Sequence, residues 1–155
     1  MKKYLIIILM AFFLIGCDVT QDNSDIKSAR FWDMRFNYYY RFNKRSSDKT
    51  PNRVIYEKNS SCLIRIEYRD ITKDREDLER KDFNNLCSRY KISDEEVNNN
   101  KYQSCITDSH LKHLSFIHED GKNVYEYDLI LTGYDGDDEA CINELKIMES
   151  SITFR

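Results

Sequence analysis

Proline occurs once and glycine four times in 155 residues, which excludes collagen-like and low-complexity linker architectures. An excess of one charge is lacking as well. Lysine and arginine number 24 against 27 aspartates and glutamates, a net −3, and so weak an imbalance argues against a general nucleic-acid binder. A bilayer-spanning helix needs about 20 apolar residues, and the apolar run from Tyr4 to Ile15 has only twelve. No C-x-x-C occurs, so neither a thioredoxin-type redox site nor a zinc ribbon is indicated. A G-x-S-x-G nucleophile elbow and a Gly-rich phosphate loop are also absent. What remains is 41% hydrophobic and 33% charged residues, the balance of one folded domain.

The first residues read as an address. Met1-Lys2-Lys3 is a short basic segment, and the run from Tyr4 to Ile15 has the length of a secretion-signal core. It ends in Leu14-Ile15-Gly16-Cys17, followed by polar Asp18. This arrangement resembles the lipobox of bacterial lipoproteins. The resemblance covers about 17 residues, and it implies that residues 1–16 are removed and that Cys17 carries the acyl anchor. Several acyl chains at about 0.8 kcal/mol per buried CH₂ hold a protein firmly. An ordinary cleaved signal or an uncleaved anchor is the alternative. Asp18 resembles the inner-membrane retention signal of enteric-type lipoproteins, which in a Gram-negative source implies the periplasmic face of the inner membrane. The expected division is then a signal peptide over 1–16, a lipidated N-terminus and tether over 17–30, and one globular domain over 31–155.

Setting Cys17 aside leaves Cys62, Cys87, Cys105 and Cys141, an even number in an exported domain, which points to two disulfides. Four cysteines allow three pairings. Cys62 shares the apolar face of an alternating segment, Cys62 to Arg69, and Cys141 shares the apolar stripe of a helix ending near Glu149. A sheet-to-helix bridge Cys62–Cys141 with a local clasp Cys87–Cys105 fits those positions.

Seven of the twelve residues from Phe31 to Phe42 are aromatic. Trp32, Met34, Phe36, Tyr38, Tyr40 and Phe42 fall at every second position and predict a strand over 31–43. Trp32, Phe36, Tyr39 and Tyr40 would also share one face of a helix, so both forms stay open. Strands are expected over 53–58, 62–69, 112–118 and 123–132, the last two joined at Asp120-Gly121. A helix is expected over Lys73 to Tyr90, and Ser93-Asp94-Glu95-Glu96 has the form of a capping box that opens a second, short one. Residues 151–154 offer an edge strand. The pattern predicts an α+β domain: a mostly antiparallel, disulfide-bonded sheet with two or three helices packed on one face.

Residues 27–45 carry a net +5 and residues 119–149 a net −8. Arg35, Tyr39 and Arg41 in the first stretch, and Asp135, Asp137 and Asp138 in the second, are therefore candidate binding-surface residues. Tyrosine and arginine are favoured in such surfaces, and clustered carboxylates steer basic partners. Basic and aromatic residues near an acyl anchor also suit anionic headgroups. The Asp135–Glu139 loop lacks EF-hand spacing and reads better as a helix start. His110, His113 and His118 do not form a metal set, because His113 and His118 differ by an odd number and face opposite sides of a strand. No catalytic residue, metal or cofactor is assigned. The leading expectation is a non-enzymatic, membrane-anchored lipoprotein that binds another envelope or secreted protein, of immunity, inhibitor or exclusion type. An accessory or pilot-type subunit of an envelope assembly is the alternative, and a small hydrolase is a third class.

Overall fold

The computed structural model describes residues 25–155, so the signal segment, Cys17 and Asp18 lie outside the described residues. Ten strands among these residues form two antiparallel sheets. The small sheet has the order β1-β2-β10, with β1 Ile26–Phe31, β2 Met34–Tyr39 and β10 Thr153–Phe154. The large one runs β3-β4-β5-β9-β8-β7-β6. Its strands are β3 Asn43–Ser46, β4 Arg53–Asn59, β5 Cys62–Asp70, β6 Ser93–Val97, β7 Asn100–Ile106, β8 Leu111–Asp120 and β9 Asn123–Thr132. Three helical segments interrupt the strands: α1 Arg75–Leu78, α2 Lys81–Cys87 and α3 Glu139–Ser150.

Period-two alternation divides the large sheet into an apolar and a polar face. Ile64 pairs with Leu131 and Ile66 with Leu129, while Leu114 stands opposite Leu129 on the next strand and Phe116 opposite Tyr127. These side chains form one fully buried surface. Leu145 and Met148 of α3 pack on it, as do Met34 and Phe36 of the small sheet. Cys62 and Cys141 bridge β5 to α3, with Cα atoms 5.9 Å apart. Asp138 caps α3 by accepting the Cys141 amide at 3.0 Å. The approach here is close enough to require glycine: at Gly133, φ +84°, an added Cβ would collide with the Ser61 carbonyl and lie 3.1 Å from Cys141 Sγ.

Four expectations are corrected. Two or three helices were expected on one face, but only α3, twelve residues long, packs there. The short α2 lies on the opposite face, where Cys87 is bridged to Cys105. Cys105 is offset by odd numbers from Tyr102 and Ser104, so it points away from them and takes α2 with it. The continuous helix expected over Lys73 to Tyr90 is broken at Arg80, whose backbone is left-handed with φ 55°. The backbone N–H of Arg80 serves Glu126 on the sheet instead.

The capping-box segment Ser93–Glu96 belongs to a strand. Asn98 and Asn99, at φ 49° and 64°, make the two-residue turn that returns it as β7. Glu95 bonds to Ser104 and Tyr102 across that hairpin. Lys112 Nζ and the Tyr102 hydroxyl both reach Glu149 Oε1, at 2.7 and 2.6 Å. These long-range bonds outweigh a local capping preference. The sheet also begins earlier than residue 31, because β1 starts at Ile26, inside the segment expected to be tether.

Candidate functional site

The polar face of the large sheet carries Arg65, Glu67 and Arg69 on β5, Glu126, Asp128 and Ile130 on β9, and His113 and Ser115 on β8. Solvated on its own, such a face needs no cover. Here α2 lies over it, pinned by the Cys87–Cys105 bridge and by Phe83, which is buried against these cysteines with Tyr90 alongside. A cleft of about 250 Å³ remains between helix and sheet. Glu67 and Asp128 line one end of it with Asp82, and Arg65, His113, Leu86 and Ile130 line the other. From the latter it continues into a wider groove bordered by Ile55, Leu63, Leu111 and Tyr90.

One guanidinium serves three carboxylates beside this cleft. Arg69 Nη2 lies 2.9 Å from Glu126 Oε2 and 3.2 Å from Asp128 Oδ2, and Nη1 lies 3.1 Å from Asp82 Oδ2 on α2. The Ser115 hydroxyl donates to Glu126 Oε1 at 3.3 Å. Glu126 is fully buried, and burial pushes its carboxyl upward in spite of Arg69 and the Arg80 amide. Asp128 is pushed up to about 7, first by burial and then by Glu126, with Arg69 opposing. Two carboxyls in one buried site do not readily ionise together. Burial, and then Arg65, hold the His113 imidazole below its usual range.

Three polar atoms at the cleft are buried without a hydrogen-bond partner, Asp128 Oδ1, Glu67 Oε1 and Arg65 Nε. Arg65 Nε approaches Glu67 Oε1 at 3.3 Å, an ion-pair contact without hydrogen-bond geometry. The Arg65 and Asp128 side chains remain 38% and 18% exposed, and a donor and an acceptor beside an apolar groove suit a main-chain amide flanked by apolar side chains. No hydroxyl or thiol lines the charged cleft among the described residues.

The residues expected to form the binding surface are not gathered into one patch. Tyr39 is buried in the main core, 6% exposed. Arg41 Nη2 donates to the buried Glu144 of α3 at 2.6 Å, a carboxylate that Lys58 also contacts at 3.0 Å. Arg35 lies on β2 near the C-terminal end of α3, where the Asn37 amide donates to the Ser151 hydroxyl. Asp135, Asp137 and Asp138 are exposed at the other end of α3, and Asp138 caps it. Twelve helical residues set these two groups about 18 Å apart. The Arg41–Glu144 pair nevertheless joins the basic stretch to the acidic one.

Sequence reasoning missed the cleft. Its signal was the pairing of two polar alternations, Arg65/Glu67/Arg69 and Glu126/Asp128, with an apolar helix stripe of Phe83, Leu86, Cys87 and Tyr90 that had to be buried against something.

No family model and no curated protein sequence matches the chain. Among solved structures, cyanobacterial PsbP (CyanoP) from Synechocystis sp. PCC 6803 is similar over 91% of this chain and 99% of that one, with a TM-score of 0.52 and 12% identity. A protein from Bacteroides thetaiotaomicron is similar over 84% of this chain and 48% of its own, with a TM-score of 0.45 and 12% identity. The first likeness is one of fold.

Proposed function

We propose that this chain is a lipid-anchored, non-enzymatic domain on the extracytoplasmic face of the cell membrane, and that it binds another envelope or secreted protein in the manner of immunity, inhibitor or exclusion lipoproteins. The lipobox-like ending at Cys17 supports the anchor, and Asp18 supports the periplasmic face of the inner membrane in a Gram-negative source. Two disulfides suit an oxidising compartment. The observation that carries the binding role is the cleft under α2, with Arg65 Nε and Asp128 Oδ1 unpartnered beside an apolar groove. A partner segment laid there would meet the exposed part of the Arg65 guanidinium and bury Leu86, which is 50% exposed.

Two measurements test this. Cys17→Ser should abolish acyl labelling and move the protein from the membrane fraction to the soluble one. A Ser variant that stays membrane-bound with its signal uncleaved would show an uncleaved anchor instead. Separately, a photoreactive amino acid replacing Leu86 should form an adduct with one envelope protein in intact cells. Arg65→Ala should weaken that adduct about tenfold, the cost of losing a charge-assisted hydrogen bond. The same probe at Tyr40, exposed at the end of the small sheet, should form no such adduct. Equal labelling from both positions, or none from Leu86, removes the cleft from the binding surface. An adduct with a secreted toxin or hydrolase marks an inhibitor, and one with an assembly component marks an accessory subunit.

A further inference from the structure

The outer surface of the small sheet gathers positive charge with little to balance it. Arg30 and Arg35 stand directly opposite each other on β1 and β2. Like charges in register across strands are destabilising. Arg155 follows β10, whose Thr153 pairs with Arg35 on its other side. The three guanidiniums lie close enough that burial, Arg155 and Arg30 together lower the Arg35 pKa. Arg35 Nε is buried and has no hydrogen-bond partner. Asp33, 3.8 Å from Arg30, is the carboxylate that pairs within the cluster. A hollow of about 440 Å³ opens here, lined by Arg30, Arg35, Ser28, Asn37, Ser151 and Thr153.

Trp32 adjoins this hollow. Its carbonyl accepts from Arg30 Nε at 2.7 Å, and its ring stacks on Tyr68 at 4.3 Å while remaining 48% exposed. It begins the two-residue turn between β1 and β2 with φ 54°, a conformation that favours glycine. Stacking on Tyr68 holds the ring in place, and its open half stands on the surface beside a cationic cluster that Asp33 neutralises only in part. The sequence places this hairpin beside the proposed anchor. Ile26 is nine residues from Cys17, which limits the separation to about 30 Å.

We propose that Arg30, Arg35 and Arg155 form a site for a phosphate-type oxyanion and that, with Trp32 as an interfacial aromatic, they seat the domain on anionic phospholipid headgroups. The chemistry of each part agrees with this. Guanidinium forks match phosphate oxygens, and tryptophan partitions to the headgroup level. The inference rests on the lipid-anchor reading above. It turns the small sheet toward the membrane and leaves the cleft under α2, on the far side of the large sheet, open to a partner.

Trp32 is the only tryptophan, so its fluorescence reports this surface alone. The full lipidated protein would be reconstituted in vesicles of phosphatidylcholine, with and without phosphatidylglycerol. Flotation with the vesicles reads the anchor, and Trp32 emission reads the seating. Phosphatidylglycerol should shift the emission to the blue and protect Trp32 from acrylamide. Arg30→Gln and Arg155→Gln, both exposed changes, should each lower the seated-to-unseated ratio about fivefold. Arg53→Gln, on β4 of the large sheet, should leave it unchanged. Thermal unfolding of each variant guards against a folding defect. Flotation in both vesicles with no phosphatidylglycerol-dependent shift would overturn the seating and leave the anchor standing. Failure to float in phosphatidylcholine would instead defeat the anchor reading, and a phosphatidylglycerol-dependent shift would still support the arginine site. A response to millimolar inorganic phosphate with none to vesicles would assign the site to a soluble oxyanion and overturn the membrane role.

Discussion

Replacing Cys62 and Cys141 together by alanine is expected to lower the unfolding free energy by about 4 kcal/mol, against about 3 kcal/mol for Cys87 and Cys105. The difference follows from loop length. The first bridge joins residues 79 apart in sequence and the second residues only 18 apart, and a longer closed loop removes more entropy from the unfolded chain. Denaturant unfolding of the two double variants measures both losses. The variants should differ in kind as well as in size. Cys62–Cys141 ties α3 to the main core, so its loss should weaken the whole domain. Cys87–Cys105 holds a satellite cluster of Phe83 and the two cysteines, with Tyr90 packed on it. Its loss should raise amide exchange in residues 81–90 well above that of the β8 and β9 strands, and the cleft under α2 should lose its wall. An equal or larger global loss for the Cys87–Cys105 pair would show that α2 is part of the main cooperative unit.

Asp128→Asn should stabilise the domain at pH 8 by about 2–3 kcal/mol more than at pH 5. The sign follows from the raised pKa. The carboxyl is pushed up to about 7 in the folded protein and titrates near its ordinary value of 3.8 when unfolded. Between those values the folded state holds the proton and the unfolded state does not, so native stability falls as pH rises from about 4 to 7 and is level above. Asparagine cannot ionise, and the variant lacks this loss. The contrast is largest above pH 7, where native Asp128 and Glu126 would share one buried site with both charged and only Arg69 in direct contact and Arg80 nearby to offset them. Urea midpoints of both proteins at the two pH values decide the matter. A stability difference that does not change with pH would mean that Asp128 ionises like an exposed carboxylate. The lost contact with Arg69 shifts both measurements together and so leaves the difference intact.

The strands that show their period locally were legible in the sequence. The expected spans 62–69 and 123–132 correspond to β5 and β9, because apolar and polar residues alternate over most of each span between clear turn residues. Asp120-Gly121 likewise marked the turn into β9, with Gly121 at φ 60°. The positions of Cys62 on a strand's apolar face and Cys141 on a helix's apolar stripe singled out the pair that the fold bridges. In the aromatic stretch, alternation described Met34 and Phe36, which are buried. It failed at Tyr39, the last residue of the strand, which turns inward in place of Tyr40 just beyond the end. A period describes a strand only as far as the strand runs.

Alternation by itself determined which residues share a face, and the amino-acid types determined which face excludes water. Whether the other face stays in water was decided by the tertiary structure. Alternation places Arg65, Glu67 and Arg69 on one face of their strand and Glu126 and Asp128 on one face of theirs, with no local signal of what covers them. They became a half-enclosed cleft because α2 is carried across by a disulfide to β7, two strands away from β9. Ser93–Glu96 went to a strand for a related reason: the partners of Glu95, which include Tyr102, Ser104 and Lys112, are assembled only when β6, β7 and β8 pair. Local signals act over a few residues and contribute about 1 kcal/mol each, whereas several buried long-range bonds formed together exceed any one of them.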